Sequence, residues 1–131
     1  MGISFTIHEK HGFFFSSWVG PISDSDLLSS YKDLFNNKKF KPGFHEIADV
    51  RNAQLDDVTS DGLHCLSLLV KDYLTGKCEE FKTAVIAPDD LSFGIARIYE
   101  AISFNSPESV MVFREKNEAL KWIGVDGSTL E

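Results

Sequence analysis

The sequence predicts a single α/β domain: a mixed, mostly parallel sheet of about five strands carrying about four helices. Three observations point there. Apolar residues alternate with period two at the start of the chain and an apolar run follows a short turn, the mark of a hairpin. Beyond the hairpin, helical periodicity alternates with short apolar runs, and such alternation requires crossover connections between parallel strands. A length of 131 residues suits one domain and can bury a core without disulfide or metal staples.

Ile3, Phe5 and Ile7 form the first strand face, HEKHG supplies the turn and FFFSSWVG the returning strand. In SDSDLLSSYKDLFNN, Ser23 and Asp26 have the spacing of a capping box. Leu27, Leu28, Tyr31, Leu34 and Phe35 make one helical stripe behind it. NNKKFKPG reads as a loop, HEIADV as a short strand and RNAQLDD as a second loop. A helix then buries Leu63, Leu66, Leu69, Val70 and Tyr73 and stops at Gly76. FKTAVIAP is the most apolar strand and reads as covered on both faces. Asp89 or Asp90 caps the next helix, whose expected buried stripe is Leu91, Ile95, Ile98, Tyr99 and Ile102. SVMVF and NEALKWIG close the domain as a strand and a short helix. Residues 1–125 are expected to form the domain and 126–131 a C-terminal tail.

Eleven phenylalanines imply an aromatic-rich core. The net charge of −7 argues against nucleic acid and against anionic membrane surfaces. No apolar run approaches the roughly 20 residues that span a bilayer, and no signal peptide is expected. Met1-Gly2 with Thr6 formally fits a myristoylation pattern, but the alternation from Ile3 to Ile7 reads as a strand. Cys65 and Cys78 lack CxxC or metal-ligand spacing, which suggests reduced thiols and a cytoplasmic location, with Cys65 in the core.

The motif of most interest is TSDG, residues 59–62, opening the leucine-rich helix. Its structural role is capping: Thr59 or Asp57 can accept from the unpaired first N–H groups, and Asp61 complements the helix dipole. Its functional role would be an acidic docking corner, because Asp56, Asp57 and Asp61 surround Ser60. A phosphate on Ser60 would enlarge that like-charge cluster, so fixed negative charge is the simpler expectation. Asp49 and Arg51, expected at the end of the central strand, are a second candidate edge; they could instead pair with each other.

His8 and His11 have neither zincin spacing nor a third ligand, and adjacent His64 and Cys65 diverge around a helix. Phosphate-cradle and nucleophile-elbow motifs are absent from the sequence. Lys38, Lys39 and Lys41 form a small basic loop. Neither a catalytic set, a metal site nor a cofactor is expected.

The order β-β-α-β-α-β-α-β-α resembles the STAS domain, in particular its bacterial SpoIIAA-like (STAS/SEC14-like) branch. VGPISDSDLLSSYKDLF, IADVRNAQ with TSDGLHCLSLL, and VMVFREKNEALKWIG carry the likeness. In STAS antagonists the helix start resembles D-S-S-G, with the serine before the glycine phosphorylated. Aligning Gly62 with that glycine sets Thr59 at the aspartate, Ser60 at the first serine and Asp61 at the phosphorylated position. Asp61 is not a substrate for a serine kinase, so the usual switch does not carry over. The resemblance implies a non-enzymatic regulatory or protein-interaction module that docks through Thr59, Ser60 and Asp61 with the preceding loop. Its SEC14-like side implies, as the alternative, a carrier of a small apolar ligand, although 131 residues leave little material for a lipid pocket. The partner is expected to be a protein, and a homodimer stays open.

Overall fold

The computed structural model describes residues 2–77 and 80–125; Cys78 and the expected tail at 126–131 lie outside the described residues. Its elements run β1 (Gly2–His8), a 3-10 turn (Glu9–His11), β2 (Phe13–Pro21), α1 (Asp24–Phe35) and β3 (His45–Gln54). They continue with α2 (Ser60–Leu74), β4 (Phe81–Ile86), α3 (Asp90–Ile102), β5 (Glu108–Phe113) and α4 (Lys116–Ile123). The sheet has the sequential order β1-β2-β3-β4-β5. β1 and β2 pair antiparallel and every later neighbour is parallel. The class is the one read from the alternation of periods.

Each parallel crossover steps one strand in the same direction, so α1, α2 and α3 share one face of the sheet. There Leu27, Tyr31, Leu63, Val70 and Tyr99 pack over Phe14, Ala48, Val50, Val85 and Val110. Alone on the opposite face, α4 sets Ala119 and Leu120 against Phe13, Ile47, Ala84 and Ile86. β4, covered from both sides, buries five of its six residues, which is why its sequence is continuously apolar. Phenylalanine fills the larger layer: Phe14 meets Phe5, Phe40 and Phe81 with ring centroids 5.2 to 6.1 Å apart. Phe35 stacks on Tyr73 at 4.1 Å.

Helix starts follow their caps. Ser23 and Asp26 form the full reciprocal capping box. Thr59 caps α2 and Asp89 caps α3, each side chain accepting from a backbone N–H three residues on. Gly76 takes φ +78°, the left-handed conformation that ends α2 without a Cβ penalty.

Three local expectations differ from the structure. RNAQ is not loop: β3 runs on to Gln54, because Asn52, Ala53 and Gln54 pair with Val19, Gly20 and Pro21 of β2. Cys65 is exposed rather than core, since α2 turns Leu63, Leu66, Ser67 and Val70 inward and leaves Cys65 off that face. α3 is rotated by about one residue: it buries Ser92, Ala96 and Tyr99, while Leu91 and Ile98 are 52% and 44% exposed. The small side chains let α3 sit close to the sheet. Tyr99 must face inward to bring its hydroxyl to Glu108, 2.6 Å away.

Candidate functional site

Two places carry unusual chemistry, one on the surface and one in the core. The surface place is the start of α2. The Thr59 N–H donates to Asp24 Oδ1 at 2.9 Å and the Thr59 hydroxyl donates to Asp24 Oδ2 at 2.6 Å. Thr59 Oγ1 in turn accepts from the Gly62 N–H at 3.0 Å. Thr59 is therefore fully engaged in joining α1 to α2. Gly62 is buried, and a Cβ there would fall onto the Asp24 carboxylate. A glycine lets the two helix starts approach this closely.

Around that clasp Asp56, Asp57, Ser60 and Asp61 are exposed. The structure thus separates the TSDG residues into two groups. Thr59 and Gly62 hold the backbone, whereas Ser60 and Asp61 face solvent with Asp56 and Asp57 beside them.

Asp49 and Arg51 are brought together, but not at a strand end, because β3 extends three residues past Arg51. Arg51 Nη2 donates to Asp49 Oδ2 at 2.7 Å and Arg51 Nε to Oδ1 at 2.9 Å, a bidentate pair. Asp49 has the same strand parity as Ile47, which packs under α4, so the pair lies on the face opposite α1–α3. Its charges satisfy each other.

The core place was missed from the sequence. Glu46 on β3 and Glu108 on β5 point to the face covered by α1–α3, at 2% and 5% exposure. Burying a carboxyl is costly unless it is hydrogen-bonded and neutralised. Glu46 Oε2 accepts from the Tyr31 hydroxyl at 2.5 Å and from the Ser16 hydroxyl at 2.7 Å. Trp18 Nε1 donates to Ser16 at 3.1 Å, completing that arm. Glu108 accepts from Thr83 at Oε2, 2.7 Å, and from Tyr99 at Oε1. Thr83 stands between the two acids: it is the register partner of Glu46 and a donor to Glu108. Glu108 registers with Phe81, two residues before Thr83, so the two glutamate backbones are two strand spacings across and two residues along, about 12 Å apart.

These acids border a cavity of about 60 Å³ between the sheet and the helices. One water needs roughly 10–15 Å³ on this kind of measure, so the cavity holds a few waters or one very small molecule. Its floor includes Glu46, Thr83 and Glu108, its walls Leu63, Leu66, Val70 and Ile95, with Trp18, Tyr31 and Tyr99 alongside. Burial pushes both carboxyls up to about 7, against the opposing pull of their hydroxyl donors. Burial, reinforced by the adjacent carboxyls, holds the Tyr31 and Tyr99 phenols well above their ordinary value. Near neutral pH this cluster therefore sits at the edge between neutral and charged.

A signal for it did exist. Glu46 shares strand parity with Ala48 and Val50, and Glu108 with Val110, so each acid occupies a core-facing position of an apolar strand. What the sequence concealed was the compensation: the donors to Glu46 come from positions 15 and 30 residues away.

No family model matches the chain, and no curated protein matches it. Among solved structures it is similar to an uncharacterised protein from the DUF3478 family with a SpoIIAA-like fold from Shewanella loihica PV-4. Identity is 17% and the TM-score 0.60, over 93% of this chain and 94% of that one. No helix among the described residues is long and apolar enough to cross a membrane. The element order, the mixed sheet and a match running nearly end to end establish that this chain has the SpoIIAA-like fold.

Proposed function

We propose that the chain is a non-enzymatic, cytoplasmic binding module whose principal site is the core cavity, which takes a small ligand with an apolar body and one polar group. The observation that carries this reading is the pair of buried acids, with Thr83 between them, on a lining that is otherwise aliphatic and aromatic. A core built only for stability would place apolar side chains at both positions, because replacing buried polar clusters by apolar groups is often neutral or favourable. The volume of about 60 Å³ suits a small molecule and is far below the 300–1,000 Å³ of drug-sized sites. A long-chain lipid does not fit it. Native mass spectrometry of the chain, purified without denaturation, is expected to show a small bound mass that disappears on unfolding. A mass equal to the bare chain under those conditions contradicts the reading.

A second reading, docking of a protein partner at the start of α2, is favoured by the exposure of Asp56, Asp57, Ser60 and Asp61 around a rigid clasp. Fixed negative charge there would stand where related switches install phosphate, and it suits a basic partner surface. Asp61 is exposed in the first turn of α2, so Asp61→Lys is expected to lower the thermal midpoint by only a few degrees, through an unfavourable charge at the helix start, while reducing partner recovery in a pull-down several-fold. Equal recovery by wild type and variant contradicts the docking surface.

A further inference from the structure

The buried acids lack the group that ordinarily accompanies them. Ion pairs among the described residues are Asp49–Arg51, Arg97–Glu100 and Arg114–Asp90, and none involves Glu46 or Glu108. The two oxygens of Glu46 are also unequal. Oε2 takes both hydroxyl donors, whereas Oε1 has no protein partner among the described residues, in a side chain that lines the cavity. A buried carboxyl with an open oxygen is neutralised either by its own proton or, once ionised, by a donor that brings positive charge. The rings of Trp18 and Tyr31, 6.4 Å apart, border the same space, and aromatic faces attract organic cations once they are desolvated. The net charge of −7 further enriches cations around the molecule.

Size and shape narrow the class. About 60 Å³ excludes polyamines and long chains. The remaining wall is aliphatic, supplied by Leu63, Leu66 and Val70 of α2, and it suits a short hydrocarbon rather than a hydrated metal ion. A hard metal cation would need six or more oxygens, and no group of three or more candidate ligands occurs among the described residues. We propose that the cavity binds a small primary alkylammonium ion, its nitrogen donating to Glu46 Oε1 and its alkyl group lying against α2. This proposal rests on the small-ligand reading of the cavity and adds the charge of the ligand.

Binding requires Glu46 to be ionised, so below about 7 its carboxyl O–H bond breaks and the proton passes to the buffer base, and no other covalent bond changes. The groups facing Glu46 are Tyr31 from α1, Ser16 and Trp18 from β2, Thr83 from β4 and Glu108 from β5, with Tyr99 from α3 beyond Glu108. α2 presents aliphatic side chains. Propylammonium chloride is titrated into the full chain by calorimetry from about pH 5 to pH 8.5, with 1-propanol and sodium chloride as controls. Affinity for propylammonium is expected to rise about tenfold per pH unit up to about 7 and then level off, with proton release below that point. Glu46→Gln is expected to weaken binding at least tenfold and to flatten its pH profile. Should that variant not fold, carbon-13 NMR of the wild-type Glu46 carboxyl at pH 6 is expected to show ionisation on saturation with the amine; an unchanged carboxyl overturns the proposal. Equal affinity for propanol and propylammonium at pH 8 overturns the proposal while leaving a small-ligand cavity. Binding of neither probe to the wild type across this pH range overturns both.

Discussion

Unfolding free energy is expected to fall as pH rises from about 4.5 to about 7, opposite to the behaviour of a protein held by ionised carboxylates. Glu46 and Glu108 each titrate at about 7 in the folded chain, against 4.5 for an unperturbed glutamate. Between those values the native state keeps protons that the unfolded chain releases, so the slope of stability with pH is negative. The contribution is fully present below about 4.5 and lost as pH climbs through 7. Each carboxyl accounts for about 3 kcal/mol over the window. Urea unfolding at pH 5, 6, 7 and 8 reads the slope directly. Glu46→Gln and Glu108→Gln should each remove about half of the fall, and the double variant should keep only the shallow opposite rise due to His45, whose imidazole is lowered by burial and by the Lys82 charge. Asp89, whose carboxyl is lowered by the Ser92 backbone N–H, acts in the opposite sense below its ordinary 3.8, outside this window. A wild-type stability that is level or rising from pH 5 to 7 contradicts the assignment.

The clasp at the start of α2 predicts a reversal of sign. Asp24→Ala removes two hydrogen bonds to Thr59 and is expected to cost about 1–2 kcal/mol. Gly62→Ala in the wild type sets a methyl group on the Asp24 carboxylate, whose atoms are the three nearest to that methyl position. The side chain must swing away and the same bonds are lost, at a similar cost. In the Asp24→Ala background nothing of that carboxylate remains to displace. The higher helix propensity of alanine then works against no carboxylate, with an upper limit of about 1 kcal/mol in favour of the variant. Gly62→Ala should therefore destabilise the wild type and stabilise Asp24→Ala, with a coupling of about 1–2 kcal/mol. Four unfolding curves complete the cycle. The same sign in both backgrounds would mean that Gly62 answers to something other than Asp24.

Local signals were the legible ones. The Ser23–Asp26 box, the Thr59 and Asp89 caps and the Gly76 stop act within three or four residues, so residue order alone places them. The alternation of periods likewise announced a mixed sheet with most strands parallel. Features set by distant partners were not legible. β3 continues through RNAQ only because β2 offers Val19, Gly20 and Pro21 to pair with it. Tyr99 faces inward as its stripe predicts, but Leu91 and Ile98 do not, because α3 is turned so that Ser92 and Ala96 face the sheet and the Tyr99 hydroxyl reaches Glu108. TSDG could be read as a cap and as an acidic corner, but the part played by Asp24, 35 residues earlier, could not. Glu46 was visible only as a charge at the start of a strand. Its significance depends on Tyr31 and Ser16, which the fold delivers from α1 and β2.

Site-resolved carboxyl titration tests the central claim most directly. Carbon-13 NMR of glutamate carboxyls across about pH 3 to 9 is expected to separate two late-titrating resonances, near 7, from the exposed glutamates. Single Gln variants should assign them to Glu46 and Glu108. If every glutamate instead titrates between about 4 and 5, the two acids are open to water, and the cavity chemistry built on their seclusion does not hold.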